Sequence, residues 1–162
     1  MSSFWRKWVA FALALAPATG LAAAPVWAQS SPAVVDCYAK ISSPSNGGSV
    51  PLNGVVEGSS ATYGNVSVWI LTHRRGLGQW WPQNSGPVQG GAGVWSAKAT
   101  YGTAQEAGKP FEIAAVPVDQ RTSEGLAGWM VRANVYNESG GISLPRPAKG
   151  CRYNIVEVRR GD

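Results

Sequence analysis

At 162 residues, with 44% hydrophobic and 14% charged residues, the chain has the composition of a globular protein with room for one hydrophobic core. Fourteen Lys and Arg against nine Asp and Glu give a net charge of +5. The bases lie in small scattered groups, Arg74–Arg75, Arg146–Lys149–Arg152 and Arg159–Arg160, without the clustered stripe a nucleic-acid partner requires, so no nucleic acid is expected.

The chain opens with Arg6 and Lys7, then the apolar stretch WVAFALALAPATGLAAA (8–24), then VWA at 26–28 with small residues at its first and third positions. This is the layout of a secretory signal peptide over 1–28, with cleavage after Ala28 and a periplasmic or extracellular destination. Pro17, Gly20 and Pro25 interrupt the apolar run, which argues against a retained spanning helix, and no other segment is apolar enough to span a bilayer. Residues 29–35, QSSPAVV, read as a flexible leader, and 36–162 as a single domain. Loss of Arg6 and Lys7 leaves twelve bases against nine acids, a net charge of +3. Export makes a disulfide between Cys37 and Cys151 the default expectation, tying the first strand to the last. With a single histidine and no neighbouring cysteines, a metal pair is poorly supported, and no metal or cofactor is expected.

From residue 36 the chain breaks into short apolar runs separated by turn residues. DCYAKISS (36–43) alternates Cys37, Ala39 and Ile41 against Asp36, Tyr38 and Lys40, and PSNGG follows as a turn. VPLNGVVEG (50–58) alternates Val50, Leu52 and Val56 against Asn53 and Glu57. VSVWILTH (66–73) is apolar on both faces, the mark of a buried central strand. RRGLG turns the chain into QWWPQ (79–83), and the glycine-rich loop NSGPVQGGAG follows. VWSAKATY (94–101) sets Trp95, Ala97, Ala99 and Tyr101 on one face. FEIAAVPVD (111–119) sets Phe111, Ile113 and Ala115 on one face, and Pro117 implies an edge or bulge. CRYNIVEVRR (151–160) closes the chain as a last strand. Runs of this length and spacing, with Gly and Pro between them, predict an all-β, antiparallel sandwich or small barrel.

One segment breaks the period of two. SEGLAGWMVRANVYN (123–137) places Leu126, Trp129, Met130 and Ala133 at helical spacing, with Ser123 as a cap and Gly140–Gly141 as a stop. Gly125, Gly128, Val131 and Val135 are weak helix formers, so the expectation is a short helix or irregular crossover before the last strand. ISLPRPAKG then reads as an extended connector held open by Pro145 and Pro147.

The succession ISSPSNGGSV, GVVEGSS, VSVWILTH, WWPQ, GVWSAKATYG and GKPFEIAAV, over about residues 41–118, resembles small bacterial extracytoplasmic Ig-like β-sandwich modules. The resemblance implies an immunoglobulin-like or fibronectin-like plan and a role as a sensor or adhesive appendage, with no catalytic residues. The cysteine pair, and a module standing alone after a signal peptide, depart from that pattern.

No catalytic constellation is legible. His73, the sole histidine, has no Gly-x-Ser-x-Gly elbow to serve, and the nine acids are too dispersed to pair as two glycosidase carboxylates. The aromatics are the remaining signal. Trp69 and Trp95 lie mid-strand and are expected in the core, and Trp129 is expected to pack the crossover on the sheet. Trp80 and Trp81 are adjacent, so on a strand one faces inward and the other offers stacking area to a ligand or partner. Arg75, Gln79, Gln83 and Asn84 would supply hydrogen bonds beside them, which makes the RRGLGQWWPQN edge, 74–84, the expected binding surface. The expected function is a non-catalytic binding module, with a protein, peptide or cell-wall glycan as partner. The rivals are a structural module assembling through sheet edges and the C-terminal VEVRR, and an enzyme built on His73 and a distant carboxylate.

Overall fold

The computed structural model describes residues 36–88, 93–136 and 140–162. The expected signal peptide (1–28), the leader (29–35) and residues 89–92 of the glycine-rich loop lie outside them. The strands are β1 (Cys37–Ser43), β2 (Gly48–Val50), β3 (Asn53–Ala61), β4 (Ser67–Arg74), β5 (Trp81–Pro82), β6 (Gly93–Thr100), β7 (Pro110–Val118), β8 (Cys151–Arg152) and β9 (Asn154–Arg160). One helix, α1 (Gln120–Tyr136), separates β7 from β8. The described residues belong to one compact unit.

Two sheets form, of order β6-β3-β1-β8 and β2-β9-β7-β4-β5. The alternation seen in the sequence builds the layer between them. Ala39, Ile41 and Val56 with Trp95, Ala97, Ala99 and Tyr101 face Val68, Ile70, Phe111, Ile113, Ala115, Val156 and Val158. The all-β expectation therefore holds at the level of two packed sheets and one helix.

β4 and β7 are apolar on both faces because the second sheet is covered on both sides. Its outer face carries Trp69, Leu71, Ala114, Val116 and Val118, and α1 lies over them with Leu126 and Met130. The helix is regular and starts earlier than the sequence suggests. Asp119, not Ser123, caps it: the Asp119 carboxylate accepts the Thr122 N–H at 2.8 Å. That hydrogen bond is the main reason the Asp119 carboxyl lies below its usual value. The Ser123 hydroxyl instead accepts the Trp69 indole N–H at 2.9 Å. Two glycines weaken the helix intrinsically, so its stability rests on packing, with Leu126 buried. Burying that side chain contributes about 1.5–3 kcal/mol.

Two single-strand expectations are corrected. VPLNGVVEG is divided between β2 and β3, which lie in different sheets. CRYNIVEVRR is likewise divided at Tyr153, with β8 in the first sheet and β9 in the second. The pairing is also not wholly antiparallel: β1 with β8, and β2 with β9, run parallel. The cause is shared, since each terminal segment crosses from one sheet to the other and the two accompany each other in the same direction.

The disulfide forms between Cys37 and Cys151, which are also register partners of β1 and β8. β9 is paired on both sides, by β2 and β7, so VEVRR offers no free edge for assembly. Pro117 lies past the last β7–β9 pair, Ala115 with Asn154, where no ladder donor is needed. Its carbonyl accepts the Ala148 N–H at 2.8 Å.

Candidate functional site

The two adjacent indoles are separated by strand parity. After β4 the turn bends back through Gly76 and Gly78, both in the left-handed region at φ 94° and 70°. Trp80 then exchanges two backbone hydrogen bonds with Ile142, at 2.8 and 2.9 Å, and its side chain is buried with Trp69 and Leu71 beneath the connector. Its ring stacks on His73 with centroids 4.9 Å apart. Trp81 is the register partner of Thr72, so both point to the inter-sheet side of β4, and at this rim Trp81 is half-buried.

Beside Trp81 a cleft of about 450 Å³ opens. Trp81, Leu77 and Phe111 line it from the sheet side, and Trp129 and Met130 from α1. Its polar rim includes Arg74 and Glu106, whose side chains meet at 2.8 Å. Glu106 ends the 3-10 turn Ala104–Glu106 and its carboxylate accepts the Thr103 N–H at 2.8 Å. Burial alone would raise the Glu106 carboxyl, but the Thr103 N–H and the Arg74 guanidinium outweigh it and hold it below its usual value. The pair is therefore charged and internally neutral at pH 7.

The six residues expected at the site do not converge. Trp81 and Gln83 line the cleft, and Gln83 and Asn84 line an adjoining depression beside Lys98. Both amides have structural work. Gln83 Nε2 donates to the Thr72 hydroxyl at 2.9 Å and to the Trp81 carbonyl at 3.0 Å. Gln83 Oε1 accepts the Thr100 N–H at 2.9 Å, and Asn84 Oδ1 accepts the Lys98 N–H at 3.0 Å. These two side chains stand in for a neighbouring strand along the outer edge of β6. Trp80 is core.

Arg75 and Gln79 lie away from the cleft. Arg75 Nη1 pairs with Glu157 at 3.1 Å, and its Nε lies 3.9 Å from Glu112. These carboxylates share adjacent register positions with His73 across β4, β7 and β9. The Gln79 side chain is exposed, while its carbonyl accepts from His73 Nδ1 at 2.6 Å, which requires that nitrogen to carry the proton.

The 74–84 edge includes Arg74 and Leu77, which line the cleft, but sequence reasoning missed Glu106, Phe111, Trp129 and Met130. Parity from Thr72 selects Arg74 over Arg75, since Arg74 is two positions on along the same face. Trp129 was expected to pack α1 on the sheet. Leu126 and Met130 make that contact, and half-buried Trp129 donates its indole N–H to the Gly140 carbonyl at 3.1 Å.

His73 Nε2 lies 3.9 Å from Glu112, yet neither residue lines the cleft. Among the described residues, no three His, Cys, Asp or Glu side chains gather to hold a metal ion. The cleft thus combines flat apolar walls with donors and acceptors held side by side. Compared with known proteins, the sequence matches no protein-family profile and no curated protein.

Proposed function

We propose that the protein is an exported, Ig-like module of a bacterial envelope that binds a partner through the Trp81 cleft and catalyses nothing. The observation that carries the binding reading is the cleft itself. It sets two half-buried indoles, Trp81 and Trp129, beside an ion pair at the open rim of the sandwich. Apolar walls with a few placed polar groups are the usual make-up of a ligand site.

Export is supported by the signal-peptide pattern of residues 1–28 and by a disulfide suited to an oxidising compartment. No described helix is long and apolar enough to cross a membrane. The immunoglobulin-like plan is supported by strand order. The run β6-β3-β1 in one sheet and β9-β7-β4-β5 in the other corresponds to E-B-A and G-F-C-C′ of that plan. The helix between β7 and β9 is an addition to it.

Substituting the indoles one at a time tests the reading. Trp80→Ala is expected to lose about 3–5 kcal/mol in denaturant unfolding, as a core truncation. Trp81→Ala is expected to lose less than half as much, and to abolish retention of envelope-derived ligands on the immobilised protein. Equal destabilisation by both, or retention unaffected by Trp81→Ala, would refute the cleft as the binding site.

A further inference from the structure

We infer that the ligand of this cleft is a neutral saccharide of one or two rings, held against the indoles with its hydroxyls on Arg74 and Glu106. The inference rests on the binding reading above and names the ligand class.

The size points to a small molecule. About 450 Å³ lies within the range for small-ligand sites. The walls suit a sugar face. Trp81 and Trp129 offer flat, rigid apolar area at low entropy cost, on which the C–H face of a pyranose stacks.

The rim fixes the charge. Arg74 supplies N–H donors only and Glu106 supplies acceptors only, and they already neutralise each other at 2.8 Å. A hydroxyl both donates and accepts, so neighbouring hydroxyls of a sugar can engage the carboxylate and the guanidinium together without altering that balance. A charged ligand would have to compete for one member and strip the other of its partner in a partly desolvated place, since the side chains are 34% and 17% exposed.

The strand edges argue against the chief alternative, an extended peptide. Such a peptide gains affinity by adding to a free sheet edge. The outward N–H groups of Lys98 and Thr100 on β6 are taken by Asn84 and Gln83. The backbone of Trp80, next to β5, is taken by Ile142. Neither edge bordering the cleft leaves these groups free for a peptide backbone.

The test is tryptophan fluorescence and calorimetry on the intact exported protein. The probes are maltose, cellobiose, N,N′-diacetylchitobiose, glucuronic acid and a proline-rich peptide. Saturable binding of at least one neutral disaccharide is expected. It should weaken about tenfold or more in Trp81→Ala and in Glu106→Gln, and should be unchanged in Lys40→Ala, which is exposed on the first sheet. Glu106→Gln keeps an acceptor for the Thr103 N–H, so it preserves the turn. Failure of every neutral saccharide to bind, or binding indifferent to Trp81→Ala, overturns the inference. If the peptide alone binds in a Trp81-dependent way, the saccharide assignment fails while the cleft stands. If retention of envelope material is also indifferent to Trp81→Ala, both fail.

Discussion

Replacing both Cys37 and Cys151 by alanine removes the one covalent tie between the ends of the domain. Alanine is the cleaner choice because the sites are 1% and 8% exposed, and a serine hydroxyl there would need a partner. The bridged residues are 114 apart in sequence. In the chain-entropy treatment, closing a loop of that size disfavours the unfolded state by about 4.8 kcal/mol at 25 °C. The packing loss is small by comparison. The bridge packs in its own cluster with Ala148 and Val66, apart from both larger cores. Most of the effect should therefore act through the unfolded state. Against a typical domain stability of about 5–15 kcal/mol, a loss of 4–5 is a third or more of the total. Urea unfolding of the two proteins, followed by far-UV circular dichroism, measures it. The expected result is a lower midpoint and a larger slope, because the unbridged chain expands further on unfolding. A loss below about 1 kcal/mol with an unchanged slope would refute the reasoning, and would mean that the β1–β8 pairing holds the ends together unaided.

Two further substitutions probe the layer between the sheets. The Tyr101 hydroxyl is fully buried with no hydrogen-bond partner, and burial pushes its phenol up to about 12 from 10.0. Folding thus retains a proton that the unfolded chain releases, so stability is full below pH 10 and falls as the pH rises from 10 towards 12, by on the order of 2–3 kcal/mol in all. Tyr101→Phe should be neutral or stabilising near pH 7 and should remove that alkaline loss. Denaturant midpoints taken at both pH values decide, and an identical alkaline decline in the two proteins would count against it. Gly58→Ala should destabilise by about 3 kcal/mol or more, because a methyl there would overlap both the Trp95 ring and the Lys40 carbonyl oxygen. A melting temperature within a degree or two of the parent would contradict this packing.

The sequence by itself determined which residues face inward. A period of two placed Trp95, Ala97, Ala99 and Tyr101 on one buried face, and the doubly apolar run at 66–73 announced a strand covered on both sides. It also singled out Cys37 and Cys151 as a pair. These features are local, or follow from compartment, so one chain suffices to read them. Partner choice at the ends and edges of the sheets came only from the tertiary structure. Near Tyr153 the buried positions change from odd, Cys151, to even, Val156 and Val158, but that break in alternation does not say which sheet each half joins, since the switch is set by which distant strand lies alongside. The same holds at the site. Gln83 and Asn84 look like free hydrogen-bonding groups until β6 is brought beside them and its N–H groups claim their oxygens. Trp129 and Glu106 look unrelated to Trp81 until the helix and the 3-10 turn converge on the same rim. Alternation encodes the face of a side chain. Its neighbours across a gap depend on long-range packing that no short stretch of sequence contains.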